Sequence, residues 1–375
     1  MSKFRTDLRS GVSSSEVAPP YAGGPIRAWT CFWFAPTDPV GLHIVRLAAG
    51  LVFLAWLLPL AGHADALFGL NGWFDRQAYR EAAHIPGGPP QPFSWSVMYL
   101  CGSNAALVTA VYWCSIAILV LFTAGLWTRV TAVLTWLVVA SFTASPALGS
   151  DADSLLQILA LYLMVSYVFL GLTDQGQALA ARFLGARHTF LVGRLRKPER
   201  KSIAANVALR LLQVHFALVM VISGLHKLQF SDWWAGLALW YPLHPIMKMT
   251  VDTTVAPSHA SLVLLSLAAY AMLAWQIGFP AFAWRPGWRP VLLGGALIGG
   301  LGCAFLYGVP VFGPALFACC LGFVSPAEWY GLFALLRIIP RSTISSQELG
   351  LRGPGAGARA HGSGLRGKES EVVKK

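Results

Sequence analysis

Residues 211–225 read LLQVHFALVMVISGL, with Gln213, His215 and Ser223 as the polar interruptions. A run of this kind reads as the body of a membrane helix, because about 20 apolar residues rising 1.5 Å each cross the hydrocarbon of a bilayer. The chain continues as HKLQFSDWW, so His226 and Lys227 fall where that helix meets its boundary. Desolvation disfavours a charge at such a place, and a lysine there is read as functional or as paired. The alternative is a lysine whose stem lies in lipid while its ammonium reaches the headgroups. His215 and His226 are eleven residues apart, about three helical turns, and therefore share a face at different depths.

The rest of the sequence agrees with a membrane reading. Of 375 residues, 56% are hydrophobic and only 12% charged, and the mean hydropathy is +0.58. That is too apolar for a soluble domain and predicts an all-α, polytopic membrane protein. The net charge of +12 does not point to nucleic acid, because the basic residues gather between apolar runs and at the chain ends. The six cysteines show no CxxC spacing and mostly sit in apolar runs, so they are read as packing residues without a metal site or disulfide framework.

About eight spans are expected, over residues 40–60, 105–127, 130–144, 154–172, 206–227, 260–282, 291–309 and 311–336. The last is the least regular, because Pro326 and Glu328 interrupt it and a proline there would turn its end along the interface. Residues 1–35 read as a disordered, basic cytoplasmic arm, and residues 341–375 as a disordered basic tail. His43 and Arg46 stand three residues apart near the start of the first span, with Arg46 read as snorkelling to the surface or to a lipid phosphate. The basic stretch 173–204 and the arginines Arg129, Arg285 and Arg289 read as cytoplasmic connections, and a plasma-membrane protein with both termini inside follows.

The opposite, outer face then collects Asp65, Asp75, Glu81, Asp151, Asp153, Asp232 and Asp252 with Lys227. The long connection 62–103 and the segment 228–258 are rich in aromatic residues, as an interfacial belt or a binding surface would be. Asp151 and Asp153 precede the fourth span, where a carboxylate caps a helix N-terminus. As metal ligands they lack any partnered histidine spacing. A lysine acting as general base must hold a neutral amine. His226 is a candidate neighbour to favour that state, although consecutive helical residues point about 100° apart. Asp232 is the alternative partner, one that would keep the lysine charged.

The order small-Gly-apolar-basic-Lys-Leu in SGLHKL, followed by an acidic residue and tryptophan, resembles the segment holding the catalytic lysine of vitamin K-dependent gamma-glutamyl carboxylases. Their wider family is the horizontally transferred transmembrane (HTTM) domain, and the resemblance is to its bacterial type. It implies Lys227 as the base, His226 in place of a second lysine, and Asp151 or Asp153 as polar partners. Asp65 and Gly69 fall in a first outer loop of that family's kind. The implied cofactor is reduced vitamin K or another quinol, which the lysine deprotonates before it reacts with oxygen. Two features depart from the carboxylases: Ala152 stands where a carbanion-stabilising histidine is expected, and the LIGGLG run at 297–302 replaces a later one. These departures shift the expectation from glutamate carboxylation to quinol-linked chemistry at the outer face. The rival is a non-enzymatic membrane partner for export of, or immunity to, a small secreted peptide. A transporter is disfavoured, because neither an internal repeat nor paired interrupted spans are seen.

Overall fold

Away from water, a backbone must satisfy its own hydrogen bonds, and an apolar run does so as a helix. The computed structural model describes residues 24–68, 72, 96–98, 104–144, 150, 152–168, 201–240, 259–306 and 308–336. These form α1 (Gly24–Phe34), α2 (Val40–Leu57, prolonged by a 3-10 turn Leu58–Leu60), α3 (Ala64–Phe68), α4 (Ala105–Ala124), α5 (Thr128–Thr143) and α6 (Asp153–Val168). They continue with α7 (Ile203–Lys227), α8 (Ser231–Trp234), α9 (His259–Phe282), α10 (Arg289–Leu306), α11 (Phe312–Leu321) and α12 (Pro326–Leu335). No strand occurs among the described residues; Thr37 and Ser202 form one isolated antiparallel bridge.

A helix stands at each expected span, but their lengths differ. Among the described residues, five segments are long and apolar enough to cross a membrane: Val40–Leu60, Ala105–Ala124, Ile203–Lys227, His259–Phe282 and Pro286–Phe305. The helices α5 and α6 have 16 residues each, about 24 Å of rise against about 30 Å of hydrocarbon. At the break before Pro326, α11 and α12 meet at 107°, so the interruption read from the proline is a sharp bend.

Helix α2 is the hub of the bundle. It packs on α4, α6, α7, α11 and α12, and 61% of its apolar window is buried, against 22% and 17% for the windows of α9 and α10. Its neighbour α4 begins at Asn104, whose side chain accepts from the Ala106 and Leu107 N–H groups, and ends at Gly125 with φ +77°. That left-handed residue stops the helix and turns the chain directly into α5.

Two expectations are corrected here. Within the arm read as disordered over 1–35, Gly24–Phe34 form α1, where Trp29, Phe32 and Trp33 meet edge-on on one face and Asn206 Nδ2 donates to the Phe32 and Trp33 carbonyls at 2.9 and 2.8 Å; residues 1–23 lie outside the described residues. Arg46 does not reach for a surface: its side chain is 3% exposed, and Nη1 donates to the carbonyls of Phe122 and Thr123. The carbonyls at the end of α4, where the helix dipole leaves partial negative charge, attract a cation more locally than a headgroup can. Residues 169–200, most of the 62–103 connection and the tail 341–375 lie outside the described residues, with the expectations made for them.

Candidate functional site

The end of α7 is shaped by small residues. A Cβ on Gly224 would stand 2.8 Å from Ile277 Cγ1, so the glycine of SGLHKL lets α9 lie directly against α7. One turn separates Ser223 from Lys227 on the helix, which puts both on one face. The Lys227 Nζ donates to Ser223 Oγ at 2.7 Å and reaches the Ser223 carbonyl at 3.4 Å.

Beyond Lys227 the chain folds back on itself. The N–H groups of Leu228, Gln229 and Phe230 bond to carbonyls three residues earlier, and the short α8 follows. That turn is pinned by Trp234 Nε1 donating to the Leu228 carbonyl and by Tyr270 of α9 donating to the Trp234 carbonyl, each at 2.7 Å. Just past α8, Gly236 has φ +72°, and a Cβ there would lie 2.7 Å from Ser266 Oγ. The result places the Trp233 ring 5.5 Å from Lys227 Nζ, a distance at which an aromatic face attracts an ammonium.

Lys227 is half-buried, and among the described residues no carboxylate pairs with it. Asp232 is exposed on α8 and does not take the amine. The His226 ring is exposed and packs edge-on against Phe230 at 5.2 Å, so the two consecutive side chains diverge as their helical spacing dictates. Asp153 stands in the first turn of α6, and its carboxylate reaches back to accept from the Ser150 N–H at 3.0 Å and hydroxyl at 2.8 Å, the half of a capping box that the third helical position supplies. Asp151 lies outside the described residues. Of the residues singled out in the sequence, Lys227 alone is central to this cluster.

What the sequence reading missed is how the two partners meet the amine. Ser223 carried a signal, its four-residue spacing to Lys227; Trp233 entered only as part of the resemblance, and its place beside the amine comes from the chain reversal after Lys227. Deeper in the bundle, His43 Nδ1 meets the Tyr167 hydroxyl at 2.9 Å and His215 Nδ1 the Tyr162 hydroxyl at 2.7 Å. Both histidines are thus engaged by α6, and they stand apart from the Lys227 cluster.

Compared with family models, with curated proteins and with solved structures, the chain matches none. Fold and site together define a class: a multi-pass helical membrane protein, with a lysine at a helix end held by a hydroxyl and an aromatic face.

Proposed function

We propose that the chain is a protein of the HTTM type that crosses the plasma membrane about eight times with both termini inside, and that Lys227 acts at the outer face as a base toward a quinol. The observation carrying this reading is the setting of Lys227: half-buried, held by Ser223 and Trp233, and without a carboxylate partner among the described residues. A lysine fixed by an anion stays protonated, whereas one held by a hydroxyl and a ring has a neutral form within reach. In the proposed step the neutral amine takes the phenolic proton of the quinol. The quinol supplies the two electrons and two protons that reduce molecular oxygen to hydrogen peroxide, leaving the quinone, with Lys227 returning the proton it took to the peroxide anion. Ser223 positions the amine, while His226 packs on Phe230 and Asp153 is bonded to Ser150.

The test is oxygen uptake by the purified protein in lipid with a series of quinols. Lys227→Ala should lower the rate by about a hundredfold or more, while Asp232→Asn leaves it within about twofold. Equal uptake in the wild type and Lys227→Ala would refute the base. A second reading is favoured by Phe230 and Trp234, 50% and 65% exposed at the same helix end. They suit docking of a small apolar peptide, and that reading takes over if the wild type oxidises no quinol.

A further inference from the structure

Helix α1 is clasped to the bundle by its C-terminal end. The Phe32 ring lies 6.2 Å from the Trp284 ring and 4.3 Å beneath the Arg210 guanidinium, and Asn206 of α7 donates to the carbonyls of Phe32 and Trp33. These contacts fix α1 at the end of the bundle opposite Lys227, where α2 and α7 begin and α9 ends. Its first four residues, Gly24 to Arg27, are all exposed.

At about 100° per residue, α1 divides into three sectors. Ala28 and Phe32, both half-buried, occupy the sector turned to the bundle. A second sector holds Ile26, Trp29, Thr30 and Phe34, and its three apolar members are 79%, 63% and 56% exposed. The third holds Gly24, Arg27 and Cys31, again all exposed. Water is a poor surrounding for the second sector, and hydrocarbon is a poor one for the Arg27 guanidinium in the third. A helix lying in the plane of the membrane boundary satisfies both, with one sector toward acyl chains and the other toward water.

The surroundings of α1 have the character of that boundary. Trp288, exposed just past α9, packs on Phe282 at 4.6 Å between centroids, and tryptophan is enriched at headgroup level. Lys201 and Arg285 are exposed at the same end as Arg27. The described carboxylates there are engaged, Asp38 by Tyr330 and the Val40 N–H, and Glu328 by Arg289 and Ser325. The charge left over is positive, which suits lipid phosphates and disfavours a second copy of the same basic end. The spans beginning and ending beside α1 already place bilayer next to it. We propose that α1 is an interfacial helix docked on the phospholipid surface, with Ile26, Trp29 and Phe34 among the upper acyl chains and Arg27 at the headgroup phosphates.

The test uses the full chain in phosphatidylcholine nanodiscs, spin-labelled at one exposed cysteine. Cys319 and Cys320 stay, because they are buried, and the remaining cysteines become alanine. One sample carries the label on the natural Cys31. The other carries it on Ile26→Cys with Cys31→Ala, a change at a side chain that is mostly exposed. Oxygen, concentrated among acyl chains, and a water-soluble nickel chelate then relax the label according to its depth. The label at position 26 should respond to oxygen, be shielded from nickel and lie about 5–10 Å below the headgroups. The label on Cys31, from the same helix, should respond to nickel. Equal nickel access at the two positions would overturn the docking. Shielding of position 26 from both reagents, with dipolar broadening between labels, would overturn it in favour of a second copy.

Discussion

Arg46 shows how far a single side chain can stand from its reading in the sequence. Replacing it with methionine keeps the stem's packing and removes the donor, so the Thr123 carbonyl loses the guanidinium and the Phe122 carbonyl keeps only the Gly125 N–H. Arg46→Met should therefore lower the stability by about 2–3 kcal/mol, measured by unfolding in mild detergent. Its neighbour across the contact makes the same point: a Cβ on Gly125 would lie 2.6 Å from Arg46 Nη1, on a residue already at φ +77°. Arginine near the start of an apolar run was legible in the sequence; its partner was not, since 76 positions separate Arg46 from Phe122. Lys227 was legible by type and position. Ser223 was readable from helical spacing, and Asp153 as a cap from its place before an apolar run. The Trp233 ring was not, because only the reversal after Lys227 brings it back.

Among the elements, α10 and α11 touch backbone to backbone. A Cβ on Gly313 would stand 2.4 Å from Gly300 Cα, and one on Gly300 would stand 2.8 Å from Gly313 Cα. Neither atom belongs to a flexible side chain, so the helices must separate to admit a methyl. Gly313→Ala should cost about 1–3 kcal/mol, while Gly299→Ala, which meets open space, should be neutral or stabilising by up to about 1 kcal/mol. Thermal unfolding of both variants checks the contrast. The glycine-rich LIGGLG run was visible in the sequence, but which glycine bears the contact depends on a partner helix that no local pattern names. The positions of the helices were legible because apolar runs and helix ends coincide. The 107° angle between α11 and α12 was legible only as an interruption at Pro326, because a proline marks where a helix breaks and the packing of α12 on α2 sets its direction.

For the whole molecule, the proposed topology fixes which side each end of the bundle faces. In a background with the other cysteines replaced by alanine, His63→Cys, at an exposed position beyond α2, should react with a membrane-impermeant maleimide added to intact cells. The exposed Cys31 of α1 should react only after permeabilisation. Labelling of Cys31 from outside would reverse the orientation and place Lys227 on the inner side. The bridge between Thr37 and Ser202, closed by N–H to carbonyl bonds of 3.1 and 2.8 Å, bears on how the chain is made. Together with Asn206, which grips the end of α1 across 174 positions, it joins the entry of α2 to the entry of α7. A ribosome adding about 5–20 residues per second needs roughly ten to thirty-five seconds to cover that distance. Throughout that interval α1 waits without its clasp, so an insertase or chaperone has time to hold it, and slowing translation between α2 and α7 lengthens that wait.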